Sequence, residues 1–422
     1  MPAENHVRIA YQGVEGAFSE EAAARFAPGA ETVGFPTFEE AFAAAASGAC
    51  DYACLPVENS IAGSINQTYD LLTDSVLNVV GEQVVRVHHN LLVKPGTRLA
   101  DVRIAEDPRA LAGPRTATVD ESAVDPVAVS PTPALPVTVT DMQGSEVTVT
   151  DASRILALDM HGTLARIVFE LGLGDNVVGR DTSSTFAEIA DRPLVTSNGH
   201  ELAAEAILDL APTVILTDTS LGPWDVVLQM RDAGIPVVVL DPKRDLSTVP
   251  TLVTDVAHAL GVPEEGALLA ERTDAAVQAK LAEIAAVAPQ DPAEKLRIAF
   301  LYVRGQSGVY YMFGDGSGVE ALVVGLGGID VSREVGLDGM RPLNDEGLVK
   351  AAPDVILMMT KGLESVGGVD GLLTQLPAVA STPAGQTRRI IDMPDSQVLA
   401  FGPGTAEVLD ALAVALYAED AP

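Results

Sequence analysis

The stretch with the most pointed chemistry is a tyrosine and an arginine two positions apart. Leu296–Leu301 reads as a buried strand, the first of a lobe, and it ends at Tyr302-Val303-Arg304. Residues two apart on a strand share a face, so Tyr302 and Arg304 point together into the space beyond the strand's C-terminal end. A cation beside a phenol favours the phenolate, and phenolate oxygen is a good ligand for ferric iron. Arginine also makes paired hydrogen bonds to carboxylates. His200 stands in the loop Thr196-Ser197-Asn198-Gly199-His200-Glu201, ahead of a helix. Brought from a separate lobe, its imidazole could grip an iron opposite Tyr302. The plainer alternatives are a surface stack for Tyr302 and Arg304, and a helix cap or satisfied polar role for His200.

A second constellation lies near the N-terminus. Asp51–Val57 reads as a strand that delivers Glu58, Asn59 and Ser60. Strand ends that lead into helix N-termini collect ligand groups, because free amide hydrogens point there. Ser60-Ile61-Ala62-Gly63-Ser64 could hold a carboxylate in that way, or Asn59 and Ser60 could simply cap the next helix. The remaining histidines are His6 near the terminus, His88 and His89, His161 after a strand end, and His258 on a helix. Cys50 and Cys54 lack a second pair or nearby histidines, which argues against zinc and for buried small side chains.

The elements that must position these residues follow from pattern. The 422 residues carry 26 basic and 59 acidic side chains, a formal charge of −33, with 47% hydrophobic residues. That is globular composition, long enough for two or three domains. The charge argues against nucleic acid as a partner, since phosphate binding needs clustered cations. No apolar run approaches the roughly 18–20 residues that span a bilayer. Met1–Ala10 has no basic start followed by an apolar core, so no secretory signal is visible and the chain as written reads as cytoplasmic.

The chain changes character near residue 105. Before it, Val7–Tyr11 reads as a strand, with helices over Glu20–Phe26 and Phe38–Ala46. Thr116–Pro136 has no period and reads as an extended linker. Pro136–Thr140 and Glu146–Thr150 alternate around Gln143-Gly144, a hairpin signal. Then come strands at Ile155–Leu158, Val177–Arg180, Thr213–Thr217 and Val237–Leu240. Helices alternate with them at Gly162–Leu171, Glu201–Leu210 and Trp224–Ala233. That alternation predicts a parallel sheet covered on both faces. Glu205–Leu216 matches Glu346–Leu357 without a gap, and Leu171-Gly172-Leu173-Gly174 parallels Gly325-Leu326-Gly327-Gly328. Two copies predict two similar lobes. Glu264–Val287 between them predicts one long linking helix, spanning roughly 30 Å or more at about 1.5 Å per residue.

Two resemblances attach to these motifs. Tyr11-Gln12-Gly13 through Gly16-Ala17-Phe18-Ser19, Leu55-Pro56-Val57-Glu58-Asn59-Ser60 and His89-Asn90-Leu91-Leu92 resemble prephenate dehydratase, over about the first quarter of the chain. That family converts prephenate to phenylpyruvate by loss of carbon dioxide and water. Its Thr-Arg-Phe motif, whose threonine is central to catalysis, occurs nowhere here. Glu58, Asn59 and Ser60 are therefore expected to be a vestigial half-site without dehydratase activity, because leaving-group departure needs positioned acid and charge stabilisation together.

The second resemblance covers about residues 105–422. Ile155-Leu156-Ala157-Leu158-Asp159, Gly179-Arg180-Asp181-Thr182-Ser183-Ser184-Thr185, Asn198-Gly199-His200-Glu201 and Tyr302-Val303-Arg304-Gly305 resemble the substrate-binding protein of a haem-uptake ABC transporter. The resemblance implies an α/β, two-lobed periplasmic-binding-protein fold with a single long linking helix, preceded here by a partial α/β dehydratase-like domain. It implies domains at 1–104, a linker and hairpin at 105–150, lobes at 151–263 and 291–422, and the helix between. It implies haem b as the transported ligand, with His200 and Tyr302 as axial iron ligands and Arg304 hydrogen-bonding the tyrosine. Met359 would line the pocket as a secondary contact, or be core packing at a strand end. Arg180 is a candidate for a haem propionate on sign of charge. The implied partner is an ABC permease, the implied state a monomer, and the implied address an extracytoplasmic lipoprotein anchored through an N-terminal cysteine that this chain lacks. Prephenate dehydration, or ferric-siderophore or corrinoid binding by the same lobes, are the alternatives.

Overall fold

The structure, a computed structural model, describes residues 7–14, 17–59, 63–64, 66–73, 75, 77–83, 98–99, 102–119, 124–305, 309–342 and 345–419. It divides into two compact units, Met1–Asn90 and Leu91–Pro422, a division that falls ahead of the seam expected near residue 105.

In the first unit Arg8–Gln12 is the centre of a three-stranded parallel sheet, between Glu31–Phe35 and Tyr52–Cys54. Helices Phe18–Phe26 and Phe38–Ala46 flank it, the second capped by the Thr37 hydroxyl, which accepts from the Glu40 amide at 3.2 Å. One cluster between the layers is made of small side chains, Ala10, Ala41, Ala44 and Cys50, while Ile9 and Tyr11 of the central strand are also buried. The strand expected over Asp51–Val57 ends at Cys54. Glu58–Asn59 instead pairs antiparallel with Gly63–Ser64. Ser60, His6, His88 and His89 lie outside the described residues.

The second unit has two lobes. The first carries a parallel sheet in the order Val237–Val239, Val214–Thr217, Ile155–Leu158, every residue buried as the near-continuous apolar runs require. The expected strand at Val177–Arg180 is reduced to isolated bridges, Ile155 with Val177 and Arg180 with Leu194. The helix expected over Glu201–Leu210 is shorter, Ala204–Asp209, because Glu201–Leu202 turns back to pair with Thr196–Ser197.

The other lobe holds a seven-stranded sheet centred on Arg297–Arg304. Val355–Met359, Ile390–Met393 and Arg115–Thr116 follow in parallel on one side. On the other side Val309–Phe313 and Met340–Pro342 run antiparallel, so this sheet is mixed rather than all parallel. Pro263–Val287 forms the long helix between the lobes, 25 residues with Pro263 in its first turn, where a missing N–H costs nothing.

The repeat extends to hydrogen bonding. Ala211 and Ala352 occupy matching positions before Pro212 and Pro353, and both adopt positive φ, +42° and +45°. The next amides, Thr213 and Asp354, donate to the carbonyls of Arg154 and Arg297 at 2.9 and 2.8 Å. The Arg154 and Arg297 amides donate back to Thr213 Oγ1 and Asp354 Oδ2. The Nε groups of the same arginines then satisfy terminal carbonyls of the preceding helices, Leu210 and Ala211 in one lobe and Ala351 in the other.

The stretch read as a linker is held at both ends. Arg115–Thr116 is an edge strand of the mixed sheet, and Arg115 donates to the carbonyls of Ala415 and Ala418. Further on, Val127 donates to Glu170 and Ala134 to Gly261, both at 2.8 Å, in the other lobe. Besides the long helix, the chain therefore passes between the lobes a second time here.

Candidate functional site

Tyr302 leaves the central strand half-buried, its ring edge-on to Phe313 at 6.1 Å, and Phe313 is edge-on to Phe300 at 5.2 Å. The Arg304 guanidinium lies over the Tyr302 ring, 4.5 Å from its centre. It also donates to Asp395 Oδ2 at 2.6 Å and to its own Val303 carbonyl at 2.9 Å. The other Asp395 oxygen accepts from the Lys361 amide at 3.1 Å. A Cβ at Gly362 would sit 2.9 Å from the Val303 carbonyl and 3.1 Å from the guanidinium, so glycine is what lets this helix start approach. The shared face inferred for Tyr302 and Arg304 is present. Among the described residues, though, the arginine stacks on the ring and bonds to Asp395 rather than to the phenol oxygen.

His200 ends the tight loop of the Thr196–Ser197/Glu201–Leu202 hairpin. Asn198 and Gly199 take positive φ, +45° and +90°, the residue types that reach this region most cheaply. Asn198 Nδ2 donates to Glu201 Oε2 at 3.0 Å and braces the turn. The imidazole is held below the ordinary histidine range, first by partial loss of solvent, then by the positive charges of Lys361 and Arg304, with Asp395 opposing. All three charged groups belong to the other lobe, so His200 lies within electrostatic reach of Arg304 and its neighbours. A neutral imidazole has a free lone pair for a metal, as a protonated one does not.

One residue noted only as following a strand end gains weight. His161 lies beyond Leu158, and burial pushes its pKa down. Asp159 opposes this, while Arg244 and His200 push the same way, which places two imidazoles in one electrostatic neighbourhood. Beneath it Asp159, Asp181 and Asp218 are buried with Arg244. Arg244 donates to Asp218 Oδ2 at 2.8 Å, and Asp181 accepts from the amides of Asp159, Ser183 and Ser184 and from the Ser184 hydroxyl. Burial, then the Asp159 charge, raises the Asp181 carboxyl to about 7. The positional signal was available, since His161 and Asp159 stand at the C-terminal end of a first-lobe strand.

Met359 is 8% exposed at the end of Val355–Met359 and belongs to the core cluster on which Tyr302 packs. Arg180 is half-buried; its Nη1 has long contacts, 3.4 Å, to the carbonyls of Asp181 and Ser184, and its buried Nε has no partner among the described residues. Glu58 and Asn59 lie in the first unit, on their short antiparallel strand.

Residues 160–397 match the Periplasmic binding protein family, and residues 9–115 match Prephenate dehydratase. The dehydratase match thus runs past the unit boundary into the edge strand of the mixed sheet. The crystal structure of the heme binding protein HmuT superposes with a TM-score of 0.69 at 43% identity, covering 74% of this chain and 99% of that one. Variants of that protein in which a histidine, a tyrosine, or an arginine two positions after the tyrosine is replaced by alanine superpose at 0.70. The apo periplasmic heme-binding protein RhuT from Roseiflexus sp. RS-1 gives 0.58 at 36% identity, covering 63% and 98%. At the other end, arogenate dehydratase 5 of Arabidopsis thaliana is 46% identical over 115 residues, 26% of this chain and 27% of that protein. The chain spans about a quarter of the length of the curated dehydratases it matches. A family match over more than half of the residues, with a solved relative at this level of identity, settles the affiliation: the chain belongs to the periplasmic binding protein family, and it is similar to heme binding proteins of that fold.

Proposed function

We propose that this protein binds haem b between its lobes and passes it to an ABC permease. What supports the reading is the stacked Tyr302–Arg304 pair, with His200 of the other lobe within its electrostatic reach, in a fold shared with haem-binding proteins. His200 and Tyr302 are the axial ligands of the haem iron. Arg304, anchored by Asp395, holds the tyrosine ring in place. That a similar haem-binding protein has been studied with a histidine, a tyrosine and an arginine two positions later each removed supports these assignments. Arg180, with a buried donor unspent, pairs with a propionate, and Met359 packs beneath the tyrosine. The protein acts as an extracytoplasmic monomer. No reaction is assigned to it: its dehydratase-like unit corresponds to a quarter of a dehydratase and lacks the Thr-Arg-Phe motif, so we assign that unit no activity.

Hemin titration tests the reading. A Soret band that shifts or collapses in His200→Ala and in Tyr302→Ala is expected. A band unaltered in both variants overturns the axial assignment, and no band in the wild type overturns haem as the ligand. Phenylpyruvate formed from prephenate, or phenylalanine from arogenate, would overturn the assignment of an inactive first unit.

A further inference from the structure

The strand ending at Leu158 opens into a turn that is pinned amide by amide. The Asp159 amide donates to Asp181 Oδ2 at 3.2 Å, Met160 to Ser220 Oγ at 2.9 Å, and His161 to Asp159 Oδ2 at 3.3 Å. Gly162 then donates to the Asp159 carbonyl at 3.4 Å, and Leu164 to Asp159 Oδ1 at 3.0 Å. The Ser220 amide is itself held by Asp218, which pairs with Arg244 at 2.8 Å. Gly162 has φ +73°, and a Cβ there would stand 2.8 Å from the Ser183 carbonyl, so the turn also packs closely on its neighbouring loop.

Three carboxylates and one guanidinium buried together are costly, and what they fix is the path of the chain through His161. Its side chain is half-buried and lines the inner wall of the cleft beside Ser183 and Thr185. Ser396 of the other lobe, next to the Asp395 that anchors Arg304, lines the same space, and Thr185 Oγ1 reaches its hydroxyl at 3.4 Å. The His161 imidazole has no hydrogen bond or ion pair among the described residues. Burial keeps the ring neutral, and His200 is near enough to act in the same direction. The first lobe thus brings two neutral imidazoles to one cleft, His200 on a hairpin tip and His161 on a rigid turn. Imidazole nitrogen is a suitable donor to iron, and a ligand on a preorganised backbone binds without reordering it.

We propose that His161 is a second iron-coordinating imidazole of this cleft, which takes the haem iron on the first-lobe side when His200 releases it. This rests on the haem reading above. The exchange breaks one iron–nitrogen bond and forms another, moves no electron and no proton, and leaves Tyr302 on the iron. The iron is then not left with tyrosinate alone when the hairpin lets go.

The test uses ferric hemin bound to the whole protein with isotope-labelled histidine, read by pulsed EPR for histidine nitrogen on the iron. In His200→Ala such a nitrogen is expected. In His200→Ala/His161→Ala it should be absent, with hemin affinity lower than in His200→Ala by roughly tenfold or more. Added imidazole should alter the spectrum of the double variant and leave that of His200→Ala unchanged. Thermal melting checks each fold, and His161→Gln replaces His161→Ala where the smaller side chain does not fold. Hemin held by His200→Ala without a histidine nitrogen, a coupling that survives in the double variant, or equal affinity in the two would each overturn the proposal and leave the haem reading standing. Absence of hemin binding in the wild type overturns both.

Discussion

The guanidinium of Arg304 lies 4.5 Å from the centre of the Tyr302 ring while its Nη2 is tied to Asp395 at 2.6 Å. The aromatic residue is thereby clamped between a cation on one side and Phe313 at its edge. Arg304→Ala should weaken hemin binding roughly tenfold, the scale of one charge-assisted contact plus a cation–π stack. Arg304→Lys should not restore it, because the stack and the Asp395 bond together need a planar fork. Equal hemin affinity for all three proteins in a spectrophotometric titration would remove Arg304 from the site.

A second expectation concerns acidity. His200 is held below the ordinary histidine value of 6.5 by desolvation, Lys361 and Arg304. It is therefore neutral, and competent to bind iron, at neutral pH, and it loses that competence as pH falls through its lowered pKa. Lys361→Met removes one positive neighbour, so the acid limb of hemin binding should shift to higher pH. A pH titration of the Soret band in the two proteins measures this shift, and an unmoved or opposite limb contradicts the cause assigned.

Asp181 gives a stability prediction with a definite sign. Its carboxyl titrates at about 7 in the folded protein against 3.8 unfolded. Between those values the folded state holds a proton the unfolded state has lost, so this group's contribution falls as pH rises from about 4 to about 7. In Asp181→Asn that decline should vanish. The difference in melting temperature, wild type minus variant, is expected to decrease steadily across that window when both are scanned by calorimetry.

The matched positive φ values of Ala211 and Ala352 allow a paired test. An L residue with a Cβ is strained there and glycine is not. Ala211→Gly and Ala352→Gly should each stabilise the protein by about 0.5–1 kcal/mol, offset partly by unfolded-state entropy. Two similar increments in urea melts are expected from two lobes built alike.

Much of this architecture was legible in the chain, and the reasons differ by element. The matched Ala-Ala-Pro and Leu-Ala-Pro segments announced two lobes because a helix end, a proline and a strand start must recur together. Tyr302 and Arg304 could be placed on one face because strand alternation is strict. The partners of Arg304 could not, since Asp395 lies far along the sequence on another element. The buried trio Asp159, Asp181 and Asp218 was hidden for the same reason. The proline-rich stretch read as an extended linker because aperiodicity signals only the lack of regular structure. Its long-range backbone bonds, such as Val127 to Glu170, carry no local sequence signal.

The chain's second pass between the lobes restricts how a ligand enters. Ala117 donates to the Asp392 carbonyl at 2.8 Å, alongside the bridge of Asp392 with Thr116, so the near end of the pass is stitched into one lobe's sheet. Its far end is fastened to the other lobe through Val127 and Ala134. With the helix as one tether and this strap as another, wide gaping would strip an edge strand from its sheet. Breathing about the line through both tethers leaves every one of those bonds intact. Ligand exchange would then need only a small rotation of two preformed walls, with both anchoring sets of bonds kept throughout.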